Sequence, residues 1–307
     1  MQHTFRADLH MHSTWSDGTD SPKEILNKVK AAGISFFAIT DHDEYRGSRE
    51  LLLQLKKTQD EARPVFITGA EFSCRDGDDK FHILGYAYDP HSPAVRELRK
   101  VFREIRMQKT VNRMTFLKDR YGFSFSEREM AALMRHHNPG KPHIAKLMIR
   151  HGYATTISEA ILNYLDNYHG PERRIRPEEA IEAILAAGGI PVLAHGPFGD
   201  GEQDLGPEEM EGRILRLKAA GLMGVEAFYS GYSAAHRDMM LDLAARHGLL
   251  ATSGSDYHGK NKSVILGDTG PGSPEEKAAA VSEFCAEALM RSTAVSIPYS
   301  TAFRGEE

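Results

Sequence analysis

Apolar residues fall in short blocks separated by polar loops, and the blocks alternate between strand-like and helical spacing. Arg6 to Met11 reads as a strand, followed by a polar loop from His12 to Asp20. Ser21-Pro22 supplies an N-cap with proline at the first helical position, opening a helix that runs to Ala32 and stops at Gly33. Ile34 to Ile39 is a β-rich run bounded by Gly33 and the polar Thr40-Asp-His-Asp43. A helix from about Gly47 to Lys57 leads to a strand at Val65–Thr68. Asp76-Gly77-Asp78-Asp79 then supplies the turn of a hairpin spanning Phe72 to Gly85. This alternation predicts β/α units around a parallel sheet.

The rhythm changes at Pro93. From there to Arg176 helical spacing dominates, with helices at Val95–Arg120 (interrupted once), Glu127–Arg135, Pro142–His151 and Ser158–Leu165. The alternation then resumes with a helix opened by Pro177 and closed by Gly188-Gly189, and strand Ile190–Ala194. Helix Pro207–Ala220, strand Gly224–Phe228, helix Ala234–Gly248, strand Leu249–Thr252 and a last helix, Pro274–Met290, complete the series. The pattern predicts one α/β domain, residues 1–92 and 177–307, interrupted by a small helical insertion, residues 93–176. A chain of 307 residues can bury such a core without disulfides.

Charge sharpens this division. The net charge of −5 hides a segment 93–176 with 17 Lys and Arg against 8 Asp and Glu, a net of +9, inside a remainder of −14. Either the basic part attracts anions while the acidic part gathers carboxylates around cations, or both are ordinary solvated surfaces. No apolar run is long enough to cross a bilayer, and the first residues enter a strand-like run without a signal-peptide core. Cys74 and Cys285 are the only cysteines, so a reducing cytoplasm is expected and any metal site must rest on His and carboxylates.

Histidine is unusually plentiful, with 15 residues against 14 Phe. In β/α folds the residues after strand C-termini converge on the ligand crevice. His10 and His12 follow the first strand, where i and i+2 share a face, and Asp17 lies in the next loop. His42 follows the second strand and Glu71 the third, His82 sits in the hairpin, His195 ends a later strand, and Asp256 and His258 follow Thr252-Ser-Gly-Ser255. Singly, each is as well explained as a turn former or a satisfied polar residue. Jointly they recur at successive strand ends, which independent turn residues have no reason to do. Two ions taking about four to six donors each, water included, do not readily use nine ligands; three ions sharing a carboxylate do.

His10-Met-His12-Ser13 with Asp17, Thr40-Asp41-His42-Asp43, Gly69-Ala-Glu71, His82-Ile-Leu-Gly85, Leu193-Ala-His195 and Ser255-Asp256-Tyr-His258-Gly259 resemble the ordered motifs of the PHP (polymerase and histidinol phosphatase) family. The likeness covers residues 5–92 and 177–270. It implies a distorted seven-stranded β/α barrel and three divalent ions, Mn²⁺, Zn²⁺ or Fe²⁺. It also implies a ligand distribution: His10, His12, Glu71 and Asp256 on one ion, Glu71, His82 and His195 on a second, and Asp17, His42 and His258 on a third. Gly140-Lys141-Pro142-His143 resembles the stand-alone branch acting on nucleotides, in which Lys141's position is commonly Arg and that of Gly196 commonly Pro.

Coordination lowers the pKa of water from 15.7 to about 7, and adjacent ions neutralise phosphoryl oxygens, so the implied reaction is phosphoester hydrolysis by a hydroxide held between the ions. There is no P-loop and no G-x-G-x-x-G after a strand, which disfavours nucleoside-triphosphate and dinucleotide chemistry. The basic insertion is expected to cap the site and bind a remote phosphate through Lys141 and His143, with Arg135 next; the plain alternative is that Lys141 and His143 merely begin a helix. Tyr257 can stack a base or simply pack. Asp41 and Asp43 can orient neighbouring His rings. Tyr229, Tyr232 and His236 follow a strand and can line the pocket or simply pack in the loop, and His236 can also protonate a leaving group. The resemblance points to a small phosphorylated substrate, foremost a nucleoside 3′,5′-bisphosphate hydrolysed as a phosphomonoester. A 5′→3′ exoribonuclease on short RNA and a cyclic ribose-phosphate diesterase are the enzymatic rivals. A metal- or nucleotide-binding regulator is the non-enzymatic one. Neither a membrane nor DNA is an expected partner.

Overall fold

A computed structural model describes residues 5–57, 64–77, 79–136, 139–170, 173–198, 204–291 and 295–296. The chain forms two compact units, residues 1–96 with 175–307 and residues 97–174.

The larger unit is a nearly closed barrel whose seven strands follow chain order: β1 (Ala7–Asp8), β2 (Phe36–Ile39), β3 (Val65–Asp76), β4 (Asp79–Tyr86), β5 (Ile190–Leu193), β6 (Gly224–Tyr229) and β7 (Leu250–Gly254). β4 runs antiparallel to both neighbours, and every other neighbouring pair is parallel. The last strand meets the first where the Leu9 N–H donates to Ser253 O at 2.8 Å and the Ser253 hydroxyl donates to Ala7 O at 2.9 Å. That closure brings the ends of β1 and β7 side by side.

Helices α1 (Pro22–Ala31) and α2 (Arg46–Lys56) cross between the first three strands. The start of α1 is set by Ser21, whose side chain accepts from the Glu24 N–H while Glu24 reaches back to the Ser21 N–H, with Pro22 behind the cap. Its spacing then places Ile25 and Val29 wholly in the core with Phe37, Ile39 and Leu51. Each such side chain contributes roughly 1.5–3 kcal/mol by leaving water.

Three elements depart from what the pattern predicts. β3 does not end at Thr68, because β4 pairs with it continuously from Gly69↔Tyr86 to Asp76↔Asp79 and gives that stretch a hydrogen-bonding partner. Glu71 therefore lies inside a strand rather than after one. Helix α3 (Pro93–Tyr121) runs 29 residues without the expected interruption; no Gly or Pro falls inside it to open the backbone ladder. A short β8 (Val295–Ser296), which the pattern did not announce, pairs with β3 at Phe66 and Ile67, just before β4 takes over that edge.

The unit 97–174 holds most of α3 with α4 (Glu127–Arg135), α5 (Lys141–Arg150) and α6 (Ile157–Asn163). It has its own core around Leu117, Leu133, Ile144 and Met148. The barrel's remaining helices are α7 (Pro177–Ala186), α8 (Pro207–Ala219), α9 (Ala234–His247) and α10 (Pro274–Met290). Among the described residues no helix is long and apolar enough to cross a membrane.

Candidate metal centre

The nine residues singled out in the sequence come together at one end of the barrel. Closure by β1 and β7 is the first cause: the Asp256 N–H donates to His10 O at 2.8 Å and the His12 N–H to Tyr257 O at 2.8 Å. Asp8 ties the same two segments, accepting from the Ser255 N–H and hydroxyl at 2.9 and 2.7 Å and from the Gly267 N–H at 2.8 Å. The loop carrying Asp17 is shaped by Asp41, which accepts from the Ser13 N–H and from the hydroxyls of Ser13 and Ser16, each at 2.7 Å. Asp41 thus organises the loop through serines instead of gripping a His ring. Asp43, likewise, accepts from the Ser73 N–H at 2.7 Å.

Glu71 sits at the centre, 1% exposed. Its Oε2 lies 3.0 Å from His42 Nδ1, 3.1 Å from His12 Nε2 and 3.3 Å from His10 Nε2. Its Oε1 lies 2.7 Å from His82 Nδ1 and 3.3 Å from His195 Nε2. Asp256 Oδ1 is 3.2 Å from His12 Nε2 and 3.5 Å from His10 Nε2. Asp17 faces His258 Nε2 at 3.3 Å, His12 Nδ1 at 3.7 Å and His42 Nε2 at 3.8 Å.

Such density of charge rearranges the protons. Burial alone would push His12 down, but the carboxylates of Asp256, Glu71 and Asp17 outweigh it and raise its pKa to about 9. His10 goes well above its usual value for the same reason, with Glu71, Glu226 and Asp256 as the opposing charges. Burial, reinforced by the charge on His12, depresses both His42 and His258. Burial would raise Glu71, Asp17 and Asp256, but the histidines packed around them, joined at Asp256 by Lys262, hold all three well below the carboxylate range.

These residues fit a divalent-metal centre. His10 Nε2, His12 Nε2, Asp17 Oδ1 and Glu71 Oε2 are buried and close to one another, yet none makes a hydrogen bond. Such atoms, crowded by charge but without an aligned hydrogen bond, are satisfied by a bound cation. Three groups have donor atoms mutually near enough for one ion: His10, His12 and Asp256; His42, Glu71 and His82; and His12, Asp17, His42 and His258. His195 stands beside the second group, its Nε2 3.1 Å from His82 Nδ1.

Three further residues hold the donors in place, of which spacing along the chain marks Tyr229 as a pocket-lining candidate but neither Glu226 nor Lys262. Glu226 on β6 is fully buried; its Oε1 lies 3.1 Å from His10 Nδ1, and its Oε2 accepts from the His195 N–H at 2.8 Å. A lone acidic residue in the apolar strand Gly224-Val-Glu-Ala-Phe228 was the signal available. The Tyr229 hydroxyl and the Lys262 ammonium both donate to Asp256 Oδ2, at 3.0 and 2.6 Å. Burial and the Asp256 charge push the Tyr229 phenol up, so it remains a donor. His195 and Asp256 also have left-handed backbones, φ 29° and 57°, a strain of the kind found at functional sites.

The other candidates lie elsewhere. Tyr257 is buried in the cluster with Ile25 and Leu51, and its hydroxyl donates to Asp20 at 2.6 Å and accepts from Lys28 at 2.6 Å. His236 packs edge-on against Phe198 and Tyr232, with Nε2 3.4 Å from Asp204. In the helical unit Lys141 pairs with Asp166, His143 accepts from the Gly140 N–H and packs on His136, and Arg135 ends α4 exposed.

Comparison with known proteins agrees with this geometry. The PHP domain model matches residues 8–187. The chain is 30% identical to a 3′,5′-nucleoside bisphosphate phosphatase of Chromobacterium violaceum over 82% of its own length and 86% of the relative's. It is 28% identical to a 5′-3′ exoribonuclease of Haemophilus influenzae, over 83% and 90%. A Bifidobacterium adolescentis protein assigned to the metal-dependent phosphoesterases superposes with a TM-score of 0.76 at 28% identity, covering 92% of this chain and 96% of that one. With its barrel, its buried His and carboxylate donors and these relatives, the chain belongs to the PHP family and is a metal-dependent phosphoester hydrolase.

Proposed function

We propose that this chain is a phosphomonoesterase acting on small phosphorylated nucleotides, foremost nucleoside 3′,5′-bisphosphates. The observation that carries the reading is the gathering of nine His and carboxylate residues with Glu71 at their centre, four of their atoms buried and without hydrogen bonds. Three divalent ions, of Mn²⁺, Zn²⁺ or Fe²⁺, suit such a set, held by His10, His12, Asp17, His42, Glu71, His82, His195, Asp256 and His258. Ions held there would supply activation of water near neutral pH and charge neutralisation of a phosphoryl group.

The chain's own residues do the rest. Glu226 orients His10, because a carboxylate at Nδ1 calls for the proton on that nitrogen and leaves Nε2 as the donor. Tyr229 and Lys262 occupy one oxygen of Asp256 and leave Oδ1 turned to His10 and His12. The named activity of the Chromobacterium violaceum relative supports the bisphosphate substrate.

The exoribonuclease reading stays as the rival because the Haemophilus influenzae relative is nearly as similar. The two separate on a substrate panel: protein purified with Mn²⁺, its metal content measured, is offered adenosine 3′,5′-bisphosphate, AMP, a cyclic ribose phosphate and short 5′-phosphorylated RNA. Phosphate released fastest from the bisphosphate supports the proposal. Faster turnover of RNA longer than a dinucleotide overturns it.

A further inference from the structure

Above the metal centre the barrel opens in a cleft of about 390 Å³ whose wall includes Lys80, Lys262, Phe198 and Tyr229. Lys80 stands two residues before His82 on β4, so their side chains share one face of the strand. The Lys262 ammonium has three donors, and one is spent on Asp256 Oδ2 at 2.6 Å. Its side chain is 43% exposed, so the ammonium also meets the cleft, one carboxylate's width from the nitrogens of His10 and His12. A cation fixed at that spot meets whatever oxygens the phosphoryl group presents away from the reacting bond.

Resting on the phosphoesterase reading above, we propose that Lys262, assisted by Lys80, is a specificity-determining residue that binds the second negative charge of a phosphomonoester. A monoester at neutral pH carries two charges and three unesterified oxygens; a diester carries one charge and two such oxygens. Lys262 therefore favours monoesters over diesters. The placement is not legible from spacing alone: Lys262 follows His258 in an irregular loop, and the loop returns it to Asp256.

The test uses the full chain loaded with Mn²⁺, as wild type, Lys262→Met and Lys262→Arg. Hydrolysis of p-nitrophenyl phosphate and of bis(p-nitrophenyl) phosphate is measured, with metal per chain and orthophosphate affinity by calorimetry. Losing a charge-assisted hydrogen bond lowers kcat/KM of Lys262→Met on the monoester by roughly tenfold or more, against under about threefold on the diester. At saturating Mn²⁺, where the lost support of Asp256 is offset by mass action and metal per chain stays constant, orthophosphate affinity falls alongside, and Lys262→Arg recovers most of the loss. Equal losses on both esters, no loss, or a fall in metal per chain overturns the proposal while leaving the wild-type phosphoesterase intact. A wild type that hydrolyses neither ester and releases no phosphate from adenosine 3′,5′-bisphosphate sinks the reading on which the proposal rests.

Discussion

Glu226 Oε1 stands 3.1 Å from His10 Nδ1, joining β6 to the segment after β1 across the barrel interior. The other oxygen of the same carboxylate holds the His195 N–H at 2.8 Å, so one buried side chain positions two proposed metal ligands. Replacing it with Gln puts an amide in its place, which no longer fixes the His10 proton on Nδ1. Glu226→Gln is expected to weaken metal binding by about 10–100-fold while far-UV circular dichroism stays unchanged. Unaltered metal affinity in a calorimetric titration would refute the assignment.

Space around that carboxylate is equally constrained. A Cβ built on Gly254 falls 2.3 Å from Glu226 Oε1 and 2.3 Å from His10 Cβ. Gly254→Ala is therefore expected to displace His10, losing about 1–3 kcal/mol of stability along with bound metal. Thermal melts and metal analysis of the purified variant check both; a variant with full metal content contradicts the packing argument.

Metal uptake should release protons. His12 keeps its proton up to about pH 9 in the metal-free chain, and His10 is raised as well, whereas a ligating imidazole must be neutral. Between roughly pH 6.5 and 9, apparent affinity rises with pH, and titrations in buffers of different ionisation enthalpy reveal the released protons. The stability sign follows. A His whose pKa is raised on folding stabilises the metal-free chain fully below about pH 6.5, and that contribution disappears as pH climbs through the folded value. The metal-free melting temperature should consequently fall across this window; a rise would show that other groups dominate.

Chelation gives a complementary readout. Ions that bind only the folded chain stabilise it by about 2.7 kcal/mol at one hundred times their dissociation constant. Adding Mn²⁺ to the chelated protein should raise its melting temperature and restore phosphate release together. Restoration of activity without any thermal shift would mean that the ions do not occupy the buried donors.

That nine His and carboxylate residues lie together was legible because β/α folds deliver residues from strand ends to one crevice, and the alternation of apolar blocks marks where strands end. Glu71 and β3 show the limit of that rule. The strand continues past Thr68 because β4 supplies hydrogen bonds along its edge, and a local pattern carries no information about a partner until the hairpin is formed. Lys262 was hidden for a related reason: it meets Asp256 through a loop whose path no periodicity describes.

By itself, then, the sequence determined the order of β/α units, the basic helical segment between two parts of one barrel domain, and the His and carboxylate residues proposed as donors. These depend on short-range spacing and residue chemistry. Tertiary structure alone decided that Glu226 reaches His10 and His195, which nitrogen of each His faces Glu71, and that Asp256 turns Oδ1 inward. Those relations exist only once β7 closes against β1 and brings residues more than two hundred positions apart within hydrogen-bonding distance.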